Sequence, residues 1–212
     1  MRILVFGASG NVGRRVVAEA LQRGHEVTAV VRDPDRARRS LENATIVVGN
    51  AAAPQDVARL SADQDVVVSA TRPKLGSEHE HPSTAESLLK GLRLTGTRLI
   101  LVGGAGSLHA PDTGDTIVDD PRYVAAAWRG IAVACCQQYA VCQEETHADW
   151  TYLSPPALLQ PGKRTGSYRK GRDTLILDQN GLSMISMEDL AVALLDEAEV
   201  PQHRRERFTV AY

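Results

Sequence analysis

Short runs of β-branched and aliphatic residues alternate with longer, more polar stretches through the first half of the chain. Inside those stretches the apolar positions return at helical spacing. The short runs are Ile3 to Phe6, Val27 to Val31, Thr45 to Val48, Asp65 to Ser69, Arg98 to Val102 and Thr151 to Leu153. They are largely apolar on consecutive positions, as strands covered on both faces require. The stretches between them predict helices near Val12 to Arg23, Pro54 to Leu60, Pro82 to Leu94 and Tyr123 to Thr146, most of them long enough to cross over between parallel strands. Gly24 then caps the first helix, and Pro54 and Pro82 fall in opening turns, where a missing amide hydrogen costs nothing.

Beyond Leu153 the pattern changes. Ser154-Pro155-Pro156 opens a loop, and Gly162, Gly166 and Gly171 punctuate a polar stretch that carries Lys163, Arg164, Arg169, Lys170 and Arg172. A helix from Met187 to Glu199 and a strand from Arg207 to Val210 close the chain. No repeat or low-complexity linker divides it. The expectation is a single α/β domain over residues 1–212: a Rossmann-type doubly wound parallel sheet, with about 154–212 forming a small C-terminal, substrate-side elaboration at the sheet's edge.

Composition narrows the possible partners. With 43% hydrophobic and 24% charged residues, 212 positions suffice for one sizeable core. A formal charge of -2 gives no basic field for nucleic acid or an anionic membrane, so neither is an expected partner. The N-terminus reaches Gly7 too soon for a signal peptide or a membrane span, so a cytoplasmic location is expected. Cys135, Cys136 and Cys142 lack paired spacing and read as reduced core thiols. The histidines, His79 and His81 among them, show no ligand spacing, and no metal is expected. Whether the chain is a monomer or a homodimer stays open.

The chemistry begins where the first strand meets the first helix. Gly7-Ala8-Ser9-Gly10-Asn11-Val12-Gly13 has the spacing and context of a dinucleotide-binding turn. There Gly7 permits the turn, Gly10 lets the backbone approach a pyrophosphate, and Gly13 lets the helix pack on the strand. Ser9, Asn11 and Val12 belong to the same helix opening, whose amides and dipole favour an anion. The second strand ends at Arg32, where sites selective for NAD place a carboxylate. A guanidinium there suits a 2'-phosphate, so the expected cofactor is NADP, with NADPH preferred over NADH. Asp33 offers the opposite reading, and Arg14 and Arg15 stand ready to reinforce the phosphate site. Ala70 and Thr71 leave room for the cofactor after the fourth strand. Gly103 and Gly104 after the fifth offer close approach to a flat ring. Ser107 either orients a substrate and relays a proton, making it the candidate catalytic residue, or caps its own loop. The basic run from Lys163 to Arg172 either holds a substrate anion or is a solvated loop, and the helix bearing Trp128, Cys135, Cys136 and Tyr139 either walls the pocket or fills the core.

The Gly7 to Gly13 turn, Gly103 to Leu108 and Asp149-Trp150-Thr151-Tyr152-Leu153-Ser154-Pro155-Pro156 together resemble the atypical short-chain dehydrogenase/reductases. Within them the chain is most similar to NAD(P)-binding proteins of the flavin reductase/biliverdin reductase B and NmrA-like groups. The resemblance implies a nicotinamide cofactor bordered by Pro155. Mainstream members use a Tyr-x-x-x-Lys pair, which is missing: Tyr123, Tyr139, Tyr152 and Tyr168 are followed four positions on by Ala127, Gln143, Pro156 and Arg172. Flavin-reductase relatives carry histidine after Pro-Pro, where Ala157 stands here. The expected reaction is hydride transfer to a small conjugated acceptor, a flavin or quinone, that can take its proton from solvent. The alternatives are a noncatalytic NADP(H) sensor and a biosynthetic isomerase or dehydratase on the same fold.

Overall fold

A computed structural model describes residues 1–37 and 41–212. Its strands in chain order are β1 (Arg2–Phe6), β2 (Glu26–Val31), β3 (Thr45–Val48), β4 (Val66–Ser69), β5 (Arg98–Val102), β6 (Trp150–Ser154), β7 (Leu158–Gln160), β8 (Arg169–Gly171), β9 (Met184–Ser186) and β10 (Glu206–Ala211). The helices are α1 (Gly13–Gln22), α2 (Pro34–Ala37), α3 (Pro54–Ser61), α4 (Glu80–Thr95), α5 (Arg129–Glu144) and α6 (Met187–Glu199). The main sheet runs β3-β2-β1-β4-β5-β6-β10-β8, parallel throughout except for the antiparallel edge strand β8. Strand order reverses beside β1, which is where a doubly wound sheet opens a crevice at its carboxyl end.

Although β1 is apolar along its whole buried length, its side chains still divide by alternation. Ile3 and Val5 join Val16 and Val17 of α1 and Leu190 and Leu194 of α6 on one face. Leu4 and Phe6 meet Val57 of α3, Leu88 and Leu89 of α4 and Tyr152 on the other. Fully covering each such side chain contributes roughly 1.5–3 kcal/mol, so the two layers hold the strand ends in register.

The C-terminal segment completes these layers. Ser186 caps α6 by accepting from the Asp189 amide at 2.9 Å. The buried Asp189 carboxylate accepts in turn from the Thr165 and Gly166 amides and from the Tyr212 hydroxyl. Arg164 donates twice to Glu19 of α1, at 2.7 and 2.8 Å. These bonds staple residues 162–167 across the start of α6 and onto α1.

Several boundaries differ from the sequence expectation. The helix predicted from Tyr123 starts only at Arg129, after short 3-10 turns at Ile117–Asp119 and Ala126–Trp128. Arg122 pairs with both Asp112 and Asp120, holding that stretch as a turn, and Ala125 is extended, so the helix cannot run through it. The pair β7–β9 and the edge strand β8 were not anticipated, because three-residue strands carry almost no periodic signal.

Candidate functional site

The carboxyl ends of the parallel strands lie level: Phe6 pairs with Val30 and Ser69, Ser69 with Leu101, and Val102 with Leu153. The fold therefore gathers along one edge the residues that directly follow these strands: Gly7, Arg32, Ala70 and Thr71, Gly103 and Gly104, and Pro155. Gly7 takes a φ of 73°, and the Gly10 amide donates back to its carbonyl at 2.9 Å. A Cβ on Gly7 would stand 2.6 Å from the Ala70 carbonyl oxygen, and one on Gly13 would stand 2.1 Å from the Gly7 carbonyl oxygen. Both are closed by backbone.

Gly10 is different. Its nearest atoms to a notional Cβ are Gly7 O at 3.1 Å and Ala70 O at 4.0 Å, and Ser9, Gly10 and Asn11 are all exposed. Between the end of β1 and the first turn of α1 the backbone is thus exposed at Gly10, and a side chain there would cover it. Exposed amides at a helix opening suit an anion. Arg32 is exposed just after β2.

Other expected contributors turn inward. Arg15 is engaged within the protein: its Nε lies 2.5 Å from Glu188, and its guanidinium donates to the Asn11 carbonyl at 2.7 Å. The glycines of the fifth loop serve packing. A Cβ on Gly103 would enter the Tyr152 ring at 1.9 Å, and one on Gly104 would meet Cys135 at 2.7 Å. In the basic run, Arg164 holds Glu19, Arg169 donates to the Leu177 and Tyr212 carbonyls, and Arg172 pairs with Glu206 at 3.1 Å. Those cations are engaged by the protein itself.

Ser107 is anchored rather than free. Arg207, buried on β10, donates to the Ser107 hydroxyl at 2.8 Å and to its carbonyl at 3.0 Å. The same guanidinium reaches Asp173 at 2.5 Å and lies 4.4 Å from the centre of the Tyr139 ring. Sequence reading missed Arg207; the available signal was an arginine at the head of the apolar run Phe208-Thr209-Val210. Behind this anchor, against α5, lies a cavity of about 320 Å³ lined by Tyr139, Gln143, Trp150 and Arg207, away from the turn at Gly7.

Three of the five tyrosine hydroxyls are held by the protein. The Tyr152 hydroxyl is fully buried and donates towards the Cys135 carbonyl and the Gln138 side chain, and burial raises its pKa well above the usual range. The Tyr168 hydroxyl is held by Asp196, and that of Tyr212 by Ser186 and Asp189. Burial also pushes the thiol of Cys135, beside Gly104, up to about 12, and does the same to Cys142. Among the described residues no group of three or more His, Cys, Asp or Glu side chains comes together to hold a metal ion, and no helix is long and apolar enough to cross a membrane.

At the mouth of the crevice, Arg72, two positions after Ala70, places its guanidinium carbon 5.3 Å from the centre of the Trp128 ring.

The turn, the level strand ends and the reversal of strand order define a nicotinamide-dinucleotide protein of the Rossmann type. The chain matches the NAD(P)H-binding family over residues 7–201 and belongs to it. It is 38% identical over 216 residues to the uncharacterized protein YwnB of Bacillus subtilis strain 168, an alignment covering 99% of this chain and 98% of that one. A Bacteroides thetaiotaomicron structure whose name proposes an epimerase is 37% identical, with a TM-score of 0.91, over 100% of this chain and 96% of that chain. A Streptococcus pneumoniae TIGR4 structure whose name proposes an NADH-flavin reductase is 29% identical, with a TM-score of 0.88, over 100% and 99%.

Proposed function

We propose that this protein is an NADPH-dependent oxidoreductase that passes hydride to a flavin, a quinone or a related flat conjugated acceptor. The observation that carries the reading is the exposed turn at Gly10 in an NAD(P)H-binding chain whose sequence lacks the usual tyrosine–lysine acid pair. The nicotinamide edge lacks the Tyr-x-x-x-Lys pair, and the hydroxyls of Tyr152, Tyr168 and Tyr212 are all tied elsewhere. Ketone reduction needs a proton delivered to an alkoxide, whereas a conjugated ring spreads the incoming charge and takes its proton from water. When bound, the cofactor supplies the hydride. The chain's part is to hold the pyrophosphate at α1, the 2'-phosphate at Arg32, and the two rings in contact. The name given to the Streptococcus relative agrees with this reading.

Steady NADPH oxidation is expected with FMN, riboflavin or menadione, slowed when the transferred hydrogen is deuterium and nearly flat in pH across the histidine range. NADPH binds more tightly than NADH, and Arg32→Ala removes most of a preference of about 1.5–3 kcal/mol, read by calorimetry. Equal affinity of the unmodified protein for the two cofactors would instead assign Asp33 to the ribose. The name of the Bacteroides relative favours one second reading, an epimerase. That activity would show product formation without net change in the cofactor's redox state, and failure of every acceptor to oxidise NADPH would favour it or a noncatalytic sensor.

A further inference from the structure

The chain has two tryptophans, and they are placed oppositely. Trp150 is 3% exposed inside the core, while Trp128 is 56% exposed. Single exposed apolar side chains are common, so what matters is where this indole stands and what lies on its face. Trp128 is the residue before α5 begins. One turn further on, Ala132 packs on Gly106, and beyond it Cys135 packs on Gly104. The helix that Trp128 precedes therefore packs on the loop after β5. Exposed Ala125, Ala126 and Ala127 come before the indole.

The residue on its face comes from the other side of the crevice. Arg72 belongs to the segment after β4, and its neighbours Ala70 and Thr71 touch the cofactor turn at Gly7. The guanidinium spans from there to the indole, and its charge is felt at both Cys135 and His81. Leu75, 90% exposed, follows on the same segment. The crevice mouth thus carries a flat aromatic face on one wall and a cation on the other.

We propose that Trp128 and Arg72 form the acceptor platform: the acceptor's conjugated ring displaces Arg72 from the indole and stacks on Trp128, and the freed guanidinium pairs with an anionic substituent of that acceptor. This rests on the reductase reading above and narrows its substrate class to flat rings bearing a phosphate or carboxylate. Stacking holds any such ring, while the cation discriminates, so FMN is favoured over riboflavin by about tenfold or more, the usual worth of one charge-assisted pair.

The test is a titration of the full chain with FMN and with riboflavin in the presence of NADP+, followed by tryptophan emission and flavin anisotropy. Affinity is read from flavin anisotropy, because energy transfer to a bound flavin also quenches the buried Trp150. Trp128→Ala weakens both flavins about tenfold and reduces the quenching, Trp128→Phe restores most of the affinity, and Arg72→Gln removes the preference for FMN while leaving riboflavin bound as before. Unchanged flavin affinity in Trp128→Ala, a retained FMN preference in Arg72→Gln, or no flavin binding at millimolar concentration would each overturn the platform. Failure of the reductase reading looks different. Flavin that binds through Trp128 yet never oxidises NADPH would overturn that reading and leave the platform standing.

Discussion

At the scale of single residues, the three glycines of the cofactor turn differ in what they face. Gly13 meets backbone at 2.1 Å from where a Cβ would go, so Gly13→Ala must push α1 off β1 and should cost about 1–3 kcal/mol of stability despite the better helix propensity of alanine. Gly10 is exposed, and a Cβ there would have the Gly7 carbonyl oxygen at 3.1 Å and the Ala70 oxygen at 4.0 Å, so the turn need give only a few tenths of an ångström. Gly10→Val should therefore fold with a smaller loss while its NADPH affinity drops by about a hundredfold or more, since the new side chain takes the place of the pyrophosphate. Chemical denaturation and calorimetry on the two variants separate the cases. Equal stability loss in both, or NADPH affinity preserved in Gly10→Val, would contradict a pyrophosphate site at Gly10. The sequence made this turn legible because all its parts lie within seven consecutive positions. Arg72 and Trp128 are far apart in the chain, and only the fold brings them together.

Among the elements, β10 does most to shape the loop after β5. Its Arg207 ties together Ser107, Asp173 and Tyr139, three groups from separate parts of the chain. Arg207→Met keeps much of the side chain's bulk and removes all of its hydrogen bonds. It should lower stability by about 1–3 kcal/mol and loosen residues 103–107, visible as faster amide exchange there. Ser107→Ala loses a single bond to the same guanidinium and should slow acceptor reduction by no more than about tenfold. A loss of thousands-fold with NADPH binding intact would instead make the Ser107 hydroxyl the essential proton donor. The strands β1 to β6 and α6 were readable because each is a local run with a clear period. The start of α5 was not, because the Arg122 ion pairs that hold the preceding turn are made with Asp112 and Asp120 and leave no mark on local helix propensity. The edge strand β8 depends on its pairing with Val210 and Ala211, about forty residues away, and such pairing is invisible in a three-residue segment.

For the molecule as a whole, the response to acid can be assigned in part to one side chain. His81 is buried in the first turn of α4, and desolvation, helped by the nearby charge of Arg72, lowers its pKa from 6.5 to about 4. The unfolded chain then takes up a proton that the native state refuses. The stability of the neutral histidine is complete above about pH 6.5, falls as pH drops, and has lost about 3 kcal/mol near pH 4. His81→Gln should flatten that part of the stability profile in denaturant titrations between pH 7 and 4, and an unchanged slope would show that the histidine titrates normally. The doubly wound order itself was legible from alternating strands and helices, while the stapling of residues 162–167 through Asp189 and Glu19 was not, because it joins groups on separate layers. The burial of Cys135 has a consequence for the chemical durability of such a protein. Quinones alkylate thiolates by conjugate addition, and reduced flavins hand electrons to oxygen to give peroxide, which oxidises thiolates as well. A thiol beside Gly104 whose pKa stands near 12 is almost wholly protonated at neutral pH, and it is slow towards both reagents. The protein can thus keep this cysteine beside the loop after β5 with little loss to the compounds it is proposed to handle.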